Sequence, residues 1–259
     1  NAMSTETVLI TGASSGIGLD MARQFAAEGS ALILVARRTE ALNTLAEELR
    51  SAHGIQVEVI GQDLAATGAV TALCAELQKR GLQVDVLVNN AGFGLRGTVV
   101  ELDAQRQIDM IQVNVTALTE LTRQLLPAMA QRGRGGVLNV ASTAAFQPGP
   151  WMGVYYATKA YVLSLSEALY EETRGTGVKV SCLCPGATAT GFAAEADMES
   201  SLLFRMGTMR SADVARAGIR GLRRGQAIVI PGLKNWLGAL SVRFSPRFVV
   251  RMLVKSLQK

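Results

Sequence analysis

The sequence predicts an α/β fold with a single doubly wound parallel sheet and helices on both of its faces. Short β-rich runs alternate with helical stretches from the amino terminus onward, which is typical of parallel strands joined by crossover helices. The runs, such as residues 31–35, are continuously apolar, and this indicates strands buried on both faces. No Pro/Gly/Ser-rich linker divides the chain, so we predict one domain. We place it at residues 3–259, because Asn1-Ala2 before a methionine is typical of a cloning remnant.

The individual elements follow from the spacing of the apolar residues. The predicted strands comprise residues 7–11, 31–36, 55–61, 84–89, 136–141, 178–183 and 227–230. The predicted helices comprise residues 16–28, 40–51, 69–80, 105–131, 153–174 and 212–224, and an irregular stretch follows the sixth strand. Because ligands of such sheets bind beyond the carboxyl ends of the strands, motifs at those ends are the candidates for function.

The composition argues against several classes of site. The chain has one histidine, His53. A Ser-His-Asp triad, a two-histidine zinc site or a histidine-based dehydrogenase would have to use this residue or do without histidine, so we expect none of them. Three cysteines, Cys74, Cys182 and Cys184, are present, and we expect no metal site from so sparse a set. Neither a long apolar span nor a signal-peptide pattern is visible. We therefore expect a cytoplasmic protein with reduced thiols.

A glycine-rich loop, Thr-Gly-Ala-Ser-Ser-Gly-Ile-Gly at residues 11–18, follows the first strand and opens the first helix. Glycines there permit a tight turn and the close approach of a pyrophosphate to the helix N-terminus. The alternative is an ordinary glycine-rich turn between a strand and a helix. We favour dinucleotide binding, with these candidate contacts: Gly12, Ser14, Ser15, Gly16, Ile17 and Gly18.

The ends of the next strands add candidate contacts for the nucleotide. Arg37 and Arg38 follow the second strand, where an acid would hold the ribose 2′-hydroxyl of NAD and an arginine can accept a 2′-phosphate. They favour NADP(H) over NAD(H), the alternative being solvated surface arginines. After the third strand, Asp63, followed by Leu64, can accept from an adenine amino group or cap a helix. The turn after the fourth strand, Asn90-Ala91-Gly92, is a weak signal by itself.

A phenol and an ammonium group lie one helical turn apart in Tyr155 and Lys159. Side chains at i and i+4 share a helix face, and a cation beside a phenol lowers its pKa, which suits the tyrosine for general acid–base chemistry. Tyr156 is three residues from Lys159, so the spacing does not choose between the two tyrosines. A chance pairing on an exposed helix is the alternative.

Together these motifs resemble the short-chain dehydrogenase/reductase family. The loop at residues 11–18, the turn at 89–92, Ser142, Tyr155 with Lys159, and Pro185-Gly186 occur in the order and approximate spacing of that family, over residues 7–231. The resemblance implies a Rossmann-type fold and an NADP-dependent oxidoreductase that transfers hydride between NADP(H) and a carbonyl or alcohol group.

The resemblance also assigns residues. It selects Tyr155 over Tyr156 as the proton donor, with Lys159 lowering its pKa and holding the nicotinamide ribose. It implies that Ser142 polarises the carbonyl oxygen and that Asn114 holds a water that connects Lys159 to solvent. Pro185, Gly186, Thr188 and Thr190 are then expected near the nicotinamide.

The substrate side is predicted less narrowly. Residues 187–209 are expected to form a lid rich in apolar side chains, with Phe146 and Trp151 opposite it. An apolar pocket under a lid suits a lipophilic ketone or aldehyde, the alternative being plain core packing. The resemblance implies a homodimer or homotetramer through the helices at residues 105–131 and 153–174.

The last segment, residues 232–259, alternates apolar with basic side chains, and no acid follows Asp213. We expect helices that pack on the body of the protein or on a second subunit, in preference to docking on an anionic membrane surface. Two other functions stay open: a non-catalytic NADP(H) sensor, and a membrane-associated lipid binder that uses this basic tail. We expect no nucleic-acid partner, because no base-stacking platform is visible.

Overall fold

The computed structural model describes residues 6–190 and 207–258. Its centre is a seven-stranded parallel sheet in the order β3-β2-β1-β4-β5-β6-β9, which confirms the predicted Rossmann-type fold. A separate pair, β7 with β8, joins the two ends of the predicted lid, whose residues 191–206 lie outside the described part of the chain. The strands are β1 (Thr7–Thr11), β2 (Ala31–Ala36), β3 (Val57–Gly61), β4 (Val86–Asn89), β5 (Gly135–Val140), β6 (Val178–Leu183), β7 (Thr188–Ala189), β8 (Met209–Arg210) and β9 (Ile228–Val229).

The helices surround the sheet and extend beyond it at the carboxyl terminus. They are α1 (Gly16–Ala27), α2 (Thr39–His53), α3 (Ala69–Lys79), α4 (Ala104–Ile111), α5 (Leu118–Gln131), α6 (Gly153–Glu172), α7 (Ser211–Arg224), α8 (Leu233–Phe244) and α9 (Arg247–Gln258). The helix predicted at 105–131 is interrupted by a π-helical segment, Gln112–Ala117, between α4 and α5. None of the helices in the described ranges has the length and apolar character needed to cross a membrane.

Burial on both faces of the sheet explains the continuously apolar strands. Leu9 of β1 lies in register with Ile33 of β2 and Leu87 of β4, and all three pack in one core cluster. The next residue, Ile10, points to the other face and packs in a second cluster. Since successive side chains of a strand alternate between faces, both faces need apolar residues.

The order of the strands creates the binding edge. β1 pairs with β2 on one side and with β4 on the other. The order of the strands therefore runs outward from β1 in opposite directions, and a crevice opens at the carboxyl ends of the strands, where doubly wound sheets bind their ligands.

Candidate functional site

A cleft of about 760 Å³ opens at the carboxyl edge of the sheet. It is lined by nearly all of the predicted site residues: Gly12, Ser14, Ser15, Gly16, Ile17, Arg37, Arg38, Asp63, Leu64, Asn90, Ala91, Gly92, Ser142, Tyr155, Lys159, Pro185, Gly186, Thr188 and Thr190. The other two, Gly18 and Asn114, are buried and do not line it.

The glycine-rich loop is held against the end of β4. Gly12 has a φ of 67°, and a Cβ there would lie 2.9 Å from the Cα of Ala91, so a larger residue would be strained and crowded. Asn90 donates its side-chain amide to the carbonyls of Thr11 and Gly12, at 2.9 and 3.2 Å. A Cβ at Gly18 would collide with that amide group. Asn90 therefore holds the glycine-rich loop in shape, and Gly18 leaves the room that the Asn90 side chain needs.

The N-terminus of α1 opens onto this loop. Ser15 precedes the helix, and its side chain makes no capping hydrogen bond. The first N–H groups of a helix lack intrahelical partners and carry positive partial charge, so they form a site for an anion. This arrangement fits a pyrophosphate.

The two arginines after β2 lie beside the same loop. The Arg38 guanidinium donates to the hydroxyl of Ser14 at 3.3 Å, and Arg37 also lines the cleft. Asp63 accepts from the backbone N–H of Ala65 at 3.0 Å, within the turn after β3. It does not cap α3, whose N-cap residue is Gly68, and it lines the cleft. The two arginines therefore bring positive charge to the part of the cleft beside the glycine-rich loop.

The far end of the cleft carries Ser142, Tyr155 and Lys159. Tyr155 and Lys159 are buried on the inner face of α6, and the Lys159 ammonium lies 5.7 Å from the centre of the Tyr155 ring. Lys159 Nζ donates to the carbonyl of Val140 at 2.9 Å. The Tyr155 hydroxyl is hydrogen-bonded to Ser142, whose Oγ accepts from the N–H of Ala144 at 3.1 Å. A phenol, a hydroxyl and an ammonium group therefore converge at the end of β5.

Burial controls the ionisation of this group. Burial raises the pKa of Tyr155, and the hydrogen bond with Ser142 opposes that effect only in part. Burial also lowers the pKa of Lys159 to about 8. The expected lowering of the Tyr155 pKa by Lys159 is therefore not seen in this structure: loss of solvation is the largest effect on the Tyr155 pKa, and the effect that opposes it comes from Ser142. Tyr155 is a neutral phenol near neutral pH and can donate a proton.

Asn114 lies in the π-helical segment and fixes the neighbouring backbone. Its Oδ1 accepts from the N–H of Phe93 at 3.1 Å, and its Nδ2 donates to the carbonyl of Phe93 at 3.0 Å. Nδ2 also donates to Thr158 at 3.1 Å, and Thr158 donates to the carbonyl of Tyr155 at 2.7 Å. The side chain therefore connects the loop after β4 to the helix that carries Tyr155 and Lys159.

Three residues at or near the cleft were not predicted as site residues from the sequence, because they belong to the basic tail. Val254 and Leu257 of α9 line the cleft, and Gln258 donates to the hydroxyl of Tyr156 at 2.6 Å. The spacing of Val250, Val254 and Gln258 marks a buried stripe on one helix face and was the available signal. Phe146 and Trp151, expected opposite the lid, do not line this cleft.

Within residues 6–190 and 207–258, no cluster of histidine, cysteine, aspartate or glutamate has the arrangement of a metal site. Residues 6–200 match the family model described as short chain dehydrogenase. The chain belongs to the short-chain dehydrogenase family. It is thus an NAD(P)-dependent oxidoreductase that acts on alcohol or carbonyl groups.

Several members of the short-chain dehydrogenase family resemble the chain along most of its length. It is 40% identical to a sulfoacetaldehyde reductase of Chromohalobacter salexigens over 73% of this chain and 74% of the relative. A short-chain dehydrogenase of Sphingobium yanoikuyae in complex with NADPH is 35% identical, with a TM-score of 0.83 and coverage of 92% and 94%. A bulky-bulky ketone specific alcohol dehydrogenase of Comamonas testosteroni is 31% identical, with a TM-score of 0.79 and coverage of 93% of each chain.

Proposed function

We propose that the protein is an NADP-dependent reductase of an apolar ketone or aldehyde. The observation that carries the proposal is the convergence of Ser142, Tyr155 and Lys159 at the opposite end of a cleft from Arg37 and Arg38. The solved structure of a relative in complex with NADPH supports the cofactor.

The walls of the cleft suit each part of NADP(H). The glycine-rich loop and the open N-terminus of α1 would hold the pyrophosphate, and Arg37 and Arg38 the 2′-phosphate. Asp63 and Leu64 would meet the adenine, and Asn90, Ala91 and Gly92 the ribose beyond it. The nicotinamide end would contact these residues: Pro185, Gly186, Thr188 and Thr190. NADPH, when bound there, supplies a hydride to the carbonyl carbon.

The residues at the reacting end have separate roles in this proposal. Ser142 hydrogen-bonds the carbonyl oxygen of the substrate and fixes its position. Tyr155 donates its proton to that oxygen, which burial favours by keeping the phenol neutral. Lys159 holds the ribose hydroxyls and returns a proton to Tyr155. Asn114 holds Phe93 and Thr158 in place, so that the helix carrying Tyr155 keeps its orientation, and the water expected at Asn114 would complete the proton supply.

The apolar character of the substrate is supported by the wall around Tyr155. Phe93, Val254 and Leu257 line that part of the cleft, and burial of apolar surface would stabilise a lipophilic ketone there. The named relatives differ in substrate, from sulfoacetaldehyde to bulky ketones. The class of substrate is therefore inferred from the side chains that line this cleft.

The decisive assay for this function measures NADPH oxidation by absorbance with a panel of aliphatic and aromatic ketones and aldehydes. We expect turnover of the apolar members, with NADPH preferred over NADH. The rival function, a non-catalytic NADP(H) sensor, would give NADPH binding by fluorescence or calorimetry with no carbonyl consumed by any member of the panel.

A second candidate function is docking on an anionic membrane surface. Large apolar side chains in α8 and α9 are exposed: Leu233, Trp236, Leu237, Phe244, Phe248, Met252 and Leu253. The same helices carry Lys234, Arg243, Arg247, Arg251 and Lys255 and no acidic residue. Apolar side chains that insert into the interface and cations that meet acidic headgroups are the two requirements of such docking.

Co-sedimentation with vesicles tests this second function. Membrane docking by the tail predicts binding to phosphatidylglycerol vesicles and not to phosphatidylcholine vesicles. The double variant Arg243→Gln/Arg251→Gln should bind roughly 30-fold more weakly, because each cation near the surface contributes about 1 kcal/mol. The control Lys79→Gln/Arg123→Gln removes the same charge from outside the tail and should bind as the wild type does. Equal binding to both kinds of vesicle, or to none, would contradict docking on an anionic membrane surface.

A further inference from the structure

The carboxyl-terminal helix α9 reaches the cleft beside Tyr155. Val250 and Val254 are buried in the same core cluster as Tyr155 and Tyr156, together with Met152. Val254 also lines the cleft, as does Leu257 one turn further along the helix. The inner face of α9 therefore contacts the helix that carries the proposed proton donor and faces the adjoining space.

The end of α9 is held in place by two hydrogen bonds. The side-chain amide of Gln258 donates to the Tyr156 hydroxyl at 2.6 Å, and Arg96 donates to the backbone carbonyl of Gln258 at 2.6 Å. Gln258 is only 1% exposed. The ring of Tyr156 stands edge-on to that of Tyr155, with centroids 6.1 Å apart. These contacts set the distance between α9 and the reacting end of the cleft.

The side chains that α9 presents to the cleft are apolar. Val254 and Leu257 offer no hydrogen-bonding group, and Phe93 lines the cleft and packs against the same cluster. Leu257 is partly exposed, whereas Val254 is buried, so Leu257 retains surface that a ligand can cover. The residues proposed to hold the pyrophosphate and the 2′-phosphate lie elsewhere in the cleft, in the glycine-rich loop and after β2.

We infer that Val254 and Leu257 of α9 form an apolar subsite for the substituent of the carbonyl substrate that does not react. The subsite selects ketones with a large hydrophobic group, and Gln258 acts as a positioning residue that sets its width through Tyr156. This inference rests on the proposed reductase function and deepens it, because it names the class of substrate and the element that selects it.

The test is a series of alkyl phenyl ketones of increasing chain length, from acetophenone to hexanophenone, with NADPH oxidation as the readout. The ratio of kcat/KM for hexanophenone to that for acetophenone should fall about tenfold in Leu257→Ala, because contacts of one or two methylene groups in an apolar pocket give discrimination of that size. Leu257→Trp fills the subsite and should lower the same ratio. Leu253→Ala, the same change at an exposed position of α9, is the control and should leave the ratio unchanged.

Gln258→Leu tests the positioning role with a separate readout. It keeps the size of the side chain and removes the hydrogen bond to Tyr156, so KM for hexanophenone should rise while kcat stays close to that of the wild type. If turnover continues but both Leu257 variants give the same kcat/KM ratio as the Leu253→Ala control, the subsite proposal is wrong. Wild-type protein that binds NADPH and reduces no ketone of the series would instead overturn the reductase function, and the subsite with it.

Discussion

Burial lowers the pKa of Lys159 to about 8, so the rate of reduction should depend on pH in the range where this side chain loses its proton. The ammonium form predominates below that pH and is lost as the pH rises through it. If the cation holds the cofactor and returns protons to Tyr155, kcat/KM for reduction should be level near neutrality and fall above about pH 8. In Lys159→Arg the guanidinium stays protonated, so the fall should move to higher pH at lower overall activity. An unchanged alkaline limb in that variant would assign the titration to another group.

Arg38 is expected to favour NADPH over NADH. The Arg38 side chain is exposed and its described contact is with Ser14 of the glycine-rich loop, so Arg38→Gln should cost little stability. The KM for NADPH should rise about tenfold or more, because hydrogen bonds to charged groups contribute about 1.5–3 kcal/mol. The KM for NADH should hardly change, since NADH has no 2′-phosphate. Arg23→Gln on α1 is the control, and equal effects on both cofactors would contradict the role of Arg38.

The strands and helices could be predicted where nearby residues in the sequence determine where they begin and end. The strands end where the apolar runs end, and α2 ends at His53 because Gly54 takes a left-handed φ of 64°. The π-helical segment was not predictable, because no local pattern marks it. Its Asn114 bonds to Phe93, which lies 21 residues earlier in the chain. The place of α9 in the cleft was missed for the same reason: its amphipathic pattern predicts a buried stripe but not the surface that buries it.

At the scale of the whole molecule, the site residues converge because the parallel strands end at one edge. The loop after β1, the arginines after β2, the turn after β4 and Ser142 after β5 are far apart in sequence and line one cleft. That convergence follows from the fold class and could be predicted. The wall contributed by α9 and the ionisation of Tyr155 could not, since both depend on packing. The homo-oligomer stays a prediction, in keeping with exposed Ile108 on α4 and Tyr161 on α6.

Tyr155 is the proposed proton donor, and the adjacent Tyr156 supplies a matched control. Both tyrosines are buried in one cluster, but Tyr155 is bonded to Ser142 and Tyr156 to Gln258. The direct measurement compares kcat for NADPH-dependent ketone reduction in Tyr155→Phe and Tyr156→Phe, with NADPH affinity measured in parallel. We expect Tyr155→Phe to lose about a hundredfold to ten-thousandfold in kcat with NADPH binding retained, and Tyr156→Phe to lose far less. A Tyr155→Phe variant that kept its rate would show that Tyr155 is not the proton donor.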